Sequence, residues 1–82
     1  MLTDGSYVCL VNSPAWCKGT ISEGRIEDGR MTFLLHQDER FIEPLRDVRC
    51  PEDDFQTCAR PSDAEVKEIN MLIIRVSSRF TE

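Results

Sequence analysis

From Gly5 to Pro51, short runs of β-type residues alternate with tight turn signals, and this layout constrains the fold more than any other feature. Asp28-Gly29 is the strongest of these signals. The pair supplies the positive φ angles of a two-residue hairpin, between Ile26 and Met31. Before it, Ser6–Asn12 reads as a first strand that ends at Asn12-Ser13-Pro14. Trp16–Arg25 reads as a second strand, with Gly19 and Gly24 marking bends or bulges. After the hairpin, Met31–His36 reads as a third, with Met31, Phe33 and Leu35 on one face and Thr32, Leu34 and His36 on the other. The polar turn Gln37-Asp38-Glu39 leads to a short strand at Arg40–Glu43. One tight helical turn at Pro44–Asp47 and a last strand at Val48–Cys50 follow. Several short antiparallel strands in so little chain fit a small barrel better than an open sheet.

The character of the chain changes after Pro51. PEDDFQTCARP is acidic, bounded by prolines and without periodicity, and reads as a linker from which Phe55 can tuck back onto the barrel. Beyond it, Ser62 and Glu65 form a capping box directly after Pro61. Val66, Ile69, Ile73, Val76 and Phe80 then recur at the spacing of a helix packing seam, which Leu72 widens. The β-branched run Met71–Val76 could pair as a strand, and the capping box favours the helix. The expected class is mainly β, a five-stranded antiparallel barrel over residues 1–52, an acidic linker over 53–61 and a C-terminal amphipathic α-helix over 62–82.

With 82 residues the chain makes one domain with a thin core, burying about 60% of its unfolded surface. Its net charge of −5 opposes direct nucleic-acid binding, which needs a basic face, and favours basic partners. The opening MLTDGS has neither a basic start nor an apolar run, and the longest apolar stretch, Met71–Ile74, is too short to span a membrane. The expectation is an intracellular protein with no membrane contact.

Cys9, Cys17, Cys50 and Cys58 fall into two pairs whose spacing is not that of a zinc knuckle. Free thiols acting as small hydrophobes are the favoured reading, with disulfides and zinc as alternatives. His36 is the only histidine. It reads as a polar loop residue rather than a nucleophile's base or a metal ligand beside Cys9, Cys17 or Cys50. Neither catalytic residues, cofactor nor metal is expected. Glu52-Asp53-Asp54 reads as a solvated turn, with docking of a basic peptide as the alternative.

The first 52 residues resemble a Tudor domain. Gly5 with Tyr7-Val8-Cys9-Leu10-Val11 matches the opening strand of that family, and Trp16-Cys17-Lys18-Gly19-Thr20-Ile21 its second-strand motif. Met31–Asp38 lies where the third strand and its loop belong, and Pro44-Leu45-Arg46-Asp47-Val48 fits the closing turn. The resemblance implies a peptide-binding region at Asn12, Trp16, Cys17, His36, Asp38 and Phe41. Members that read methylated arginine or lysine need a cage of rings. Here Asn12, Cys17, His36 and Asp38 stand where rings or an asparagine are expected, so the implied cage is degenerate.

These readings lead to a non-catalytic protein–protein interaction module, a scaffold or adaptor. By resemblance its setting is a small-RNA, ribonucleoprotein or chromatin pathway, in the nucleus, the cytoplasm or a ribonucleoprotein granule. It binds a protein or peptide through the barrel surface or through an interface helix of Val66, Ile69, Leu72, Ile73, Val76 and Phe80, which can also form a homodimer. The alternatives are a reader of Arg/Lys-rich peptides, methylated or not, and a small RNA-binding barrel.

Overall fold

In a computed structural model, which describes residues 2–80 and the side chains of residues 2–77, the chain forms a five-stranded antiparallel sheet followed by one helix. The strands are β1 (Tyr7–Leu10), β2 (Lys18–Glu27), β3 (Arg30–Gln37), β4 (Val48–Pro51) and β5 (Phe55–Thr57), and helix α1 spans Asp63–Phe80. They lie side by side in the order β4-β3-β2-β1-β5.

The β2–β3 hairpin forms at the expected dipeptide. Asp28 and Gly29 take φ angles of 51° and 77°, and Glu27 pairs with Arg30 across the turn. Two positive φ values in succession match the twist of the flanking strands. Gly24 sits in a bulge between Ser22 and Arg25, where a methyl group would lie 2.6 Å from the Phe33 ring. Arg49 secures this bulge by donating to the Glu23 carbonyl (2.7 Å) and the Thr32 hydroxyl (3.2 Å). Gly19 makes no bend. It stays in register with Val8 and Gln37, and a side chain there would strike the His36 carbonyl.

Alternation along β3 turns Phe33 and Leu35 inward, where they join Val8, Ile21 and Phe55 in the core. Burial of such side chains contributes about 1.5–3 kcal/mol each, so these five dominate the sheet's cohesion. Leu2, Leu10, Leu45 and Cys50 pack around them. Met31, expected on the same face, lies beyond the bulge near the hairpin tip and is exposed.

Three expectations about the elements are corrected. The segment Arg40–Glu43 is not a strand, because the side chain of Asn70 in α1 satisfies its backbone. Its amide accepts from Ile42 N–H (3.0 Å) and donates to the Arg40 carbonyl (3.0 Å). The helical turn at 44–47 does not form either, since Leu45 N–H is drawn to Gln37 Oε1 at 2.9 Å. The fifth strand comes instead from the stretch read as a linker, which holds a 3-10 turn at Glu52–Asp54 and then β5.

The sheet curls without closing into the expected barrel. Laid flat, strands about 4.8 Å apart would hold β4 and β5 about 19 Å from each other. The 3-10 turn joining them spans only about 6 Å, so the sheet must curl. Its ends nonetheless remain open, for no ladder joins β4 to β5 among the described residues.

Cys9 and Cys58 form a disulfide, with Cα atoms 6.0 Å apart. Cys9 lies opposite Gln56 on β5, so Cys58 is its diagonal neighbour across the ladder. The free-thiol expectation therefore holds for Cys17 and Cys50 alone. Burial pushes the pKa of both thiols up, and the charge of Asp54 adds to the effect at Cys50.

Helix α1 starts as its capping box dictates. Ser62 Oγ accepts from Glu65 N–H, and Glu65 Oε1 accepts from Ser62 N–H, both at 3.2 Å. No described helix is long and apolar enough to cross a membrane.

Candidate functional site

Where β1, β2 and β3 meet the loop after β3, a cleft of about 310 Å³ opens, walled chiefly by Tyr7, Thr20, His36, Asp38, Glu39 and Arg60. Tyr7 points to the face of β1 opposite Val8, and its hydroxyl donates to Asp38 Oδ2 at 2.7 Å. Arg40 grips the same carboxylate with Nε on Oδ1 (3.1 Å) and Nη2 on Oδ2 (2.8 Å), while its backbone N–H donates to Oδ1 (3.1 Å). The fork of Arg40 reaches on to Asp63 at the start of α1 (3.0 Å).

This arrangement leaves little chemistry unused. Asp38 accepts four hydrogen bonds on two oxygens, the full capacity of a carboxylate. The Arg40 guanidinium holds its pKa well below the usual carboxylate range, with Tyr7 lowering it further against the opposing effect of burial. Burial, then the hydrogen bond to Asp38, pushes the Tyr7 phenol well above its usual value. An ionised, saturated carboxylate cannot take a substrate proton, and a phenol held neutral is a poor nucleophile. His36 is engaged as well, with Nε2 2.6 Å from Ser22 Oγ and Nδ1 3.6 Å from the Asp47 carboxylate. Among the described residues, no group of three or more His, Cys, Asp or Glu side chains gathers as metal ligands.

Of the six residues placed in a peptide-binding region, only His36 and Asp38 line this cleft. Cys17 and Phe41 are buried, which removes the Phe41 ring face from any ligand. Asn12 occupies a left-handed turn position (φ 59°) and is exposed. Trp16 is half-buried, and its carbonyl accepts from Gln37 Nε2 at 2.9 Å. The cleft's aromatic wall is Tyr7, already covered by the chain's own Arg60 guanidinium at 4.7 Å from the ring centre.

The interface helix divides in two. Val66 and Ile73 are buried and Ile69 is half-buried, on the side where Asn70 bonds the Arg40–Ile42 backbone. Leu72 and Val76 are exposed, and the Phe80 side chain lies outside the described residues. At 100° per residue, Glu68, Met71, Leu72 and Arg75 share the side opposite Val66 and Ile73. Met71 is 52% and Leu72 49% exposed, and a shallow groove of about 270 Å³ runs over these four residues.

The sequence reading missed Tyr7, Arg40, Arg60 and Asn70, and it missed the outer helix face as a unit. Asp38-x-Arg40 was a local signal for the ion pair. The other contacts are long-range, with Tyr7 31 residues from Asp38 and Asn70 28 residues from Ile42. Comparison with known protein families, with curated proteins and with solved structures finds no match to this chain.

Proposed function

We propose that this chain is a non-catalytic protein-interaction module, a scaffold or adaptor, whose docking surface is the outer face of α1. The observation that carries the reading is the half-exposed pair Met71 and Leu72, bracketed by Glu68 and Arg75, on the helix side opposite the buried Val66 and Ile73. Apolar side chains inside a charged frame have the composition of a small recognition patch. The saturated Tyr7–Asp38–Arg40 network supports binding over catalysis. A curled sheet whose outer strands are one 3-10 turn apart supports a nearly closed Tudor-like barrel. By that resemblance the setting is an intracellular small-RNA, ribonucleoprotein or chromatin assembly.

The test is crosslinked capture with the purified chain and with its Met71→Asp/Leu72→Asp variant. A protein retained by the native chain and lost by the variant supports the reading. Equal retention by both moves the docking surface elsewhere.

One observation favours a second reading, recognition of an arginine-rich peptide in the cleft. Tyr7 already carries a guanidinium over its ring, so the ring accepts that chemistry. A peptide would have to displace Arg60, and Arg60→Ala should then tighten binding in a titration with methylated and unmethylated peptides. Unchanged or absent binding sinks this alternative. RNA binding has the weakest support, because the net charge of −5 repels phosphate.

A further inference from the structure

From the charge pattern of the outer face of α1, we infer that its occupant is a second copy of this chain, packed antiparallel about a two-fold axis that passes between Met71 and Leu72. The inference rests on the reading of that face as the docking surface. Glu68 and Arg75 stand seven residues apart on one row of the helix, about 10.5 Å along its axis. That separation is too great for them to pair with each other. A two-fold axis midway between them, at the level of Met71 and Leu72, sets Glu68 of each copy opposite Arg75 of the other. The face is therefore complementary to itself, the defining property of a closed two-fold interface.

Parallel packing lacks this property. It would lay Glu68 over Glu68 and Arg75 over Arg75, two like-charge contacts at the ends of the apolar pair. Antiparallel packing gains both ion pairs and closes Met71 and Leu72 of one copy over the same residues of the other. The aliphatic stems of Glu68 and Arg75 extend the apolar strip while their charged ends stay in water. The inward face does not compete, because Val66 and Ile73 are already buried and Asn70 is bonded to the loop after β3. A strip four residues long is at the low end of specific interfaces, so the pair forms a weak, concentration-dependent equilibrium.

Sedimentation equilibrium of the full chain from roughly 10 μM to 1 mM tests the inference. The apparent mass should climb from 9.4 kDa toward twice that value, and added salt should reduce the climb. Glu68→Arg alone creates Arg–Arg contacts and Arg75→Glu alone creates Glu–Glu contacts. Each should weaken association by roughly ten-fold, and the double exchange should restore it to within about three-fold. Circular dichroism of each variant checks that the fold is kept. A native chain at 9.4 kDa throughout, or a double exchange as weak as the singles, overturns the inference. A monomeric chain whose outer face still captures a different protein overturns the second copy alone. A dimer that survives Met71→Asp/Leu72→Asp overturns the docking face as well.

Discussion

The cleft beside β1 and the outer face of α1 are opposites in how completely they use their own side chains. In the cleft, Asp38 accepts four hydrogen bonds, Tyr7 and Arg40 both donate to it, and Arg60 covers the Tyr7 ring. On the helix, Met71 and Leu72 stand half in water between a carboxylate and a guanidinium too far apart to meet. The cleft is the larger concavity, at about 310 Å³ against 270 Å³, yet its groups are satisfied from within. Concavity and unused side-chain capacity therefore fall in different places in this molecule. The docking surface proposed above follows what remains unsatisfied rather than what is deep.

Breaking the internally satisfied region should cost the most. The disulfide fastens β1 to the chain just beyond β5 across 49 residues, and closing a loop of that length in the unfolded chain is worth about 4 kcal/mol on entropy alone. Measured values for such bridges fall at about 2–4 kcal/mol, so Cys9→Ser/Cys58→Ser should lower the melting temperature by about 10–20 °C. A thermal scan of the variant, and of the native chain with and without reductant, checks this. An unchanged melting temperature would show that β5 is held by its ladder and by Phe55 alone. The same bond runs against the intracellular setting that the Tudor resemblance implies, because disulfides persist in oxidising compartments and are uncommon in the cytosol and nucleus.

Next in size is Asp38→Asn, which should destabilise by about 1–3 kcal/mol by removing the charge that Arg40 and Tyr7 both address. Its pH dependence follows from the two shifts. The folded-state pKa of Asp38 is depressed, so its contribution is present above the unfolded value of about 3.9 and is lost as pH falls below it. The Tyr7 value is raised, so its contribution is present below about pH 10 and is lost as pH climbs beyond. Tyr7 is the chain's sole tyrosine, so absorbance at the tyrosinate band reports it alone. The native chain should show no tyrosinate near pH 10, and Asp38→Asn should bring the titration closer to the ordinary value. An ordinary titration in the native protein would mean that the cleft network is not formed.

What the sequence made legible was local. Asp28-Gly29, the alternation of Phe33 with Leu35, and Ser62-x-x-Glu65 each specify their structure within a few residues, and all three formed as expected. The features that escaped depend on partners far along the chain. Phe55–Thr57 has too few residues to show an alternating pattern and becomes a strand through its pairing with Val8–Leu10. Arg40–Glu43 has the composition of a strand, yet mid-helix Asn70 takes the Ile42 N–H and the Arg40 carbonyl, and Asp38 takes the N–H groups of Arg40 and Phe41. Cys9 and Cys58 belong to different sequence pairs and meet only because β5 returns to β1. The helix itself was legible, but the division of its faces was not. The regular seam of Val66, Ile69 and Ile73 lies on the side that is buried, and the exposed side carries a weaker pattern.

The smallest stability effect is the sharpest check on that contrast. Leu72→Gln removes an apolar side chain that is half in water and has no place in the sheet's core. Gln is about as good a helix former as Leu, so the backbone has no reason to respond. The melting temperature of the dilute chain should therefore shift by no more than about 0.5 kcal/mol in equivalent stability. If the shift reaches the larger cost of a buried leucine, about 2 kcal/mol or more, then Leu72 is packed on its own domain and the outer face is no docking surface. A near-neutral result has a further consequence at high concentration. A residue that contributes nothing to the monomer, yet whose loss reduces association, must act between molecules.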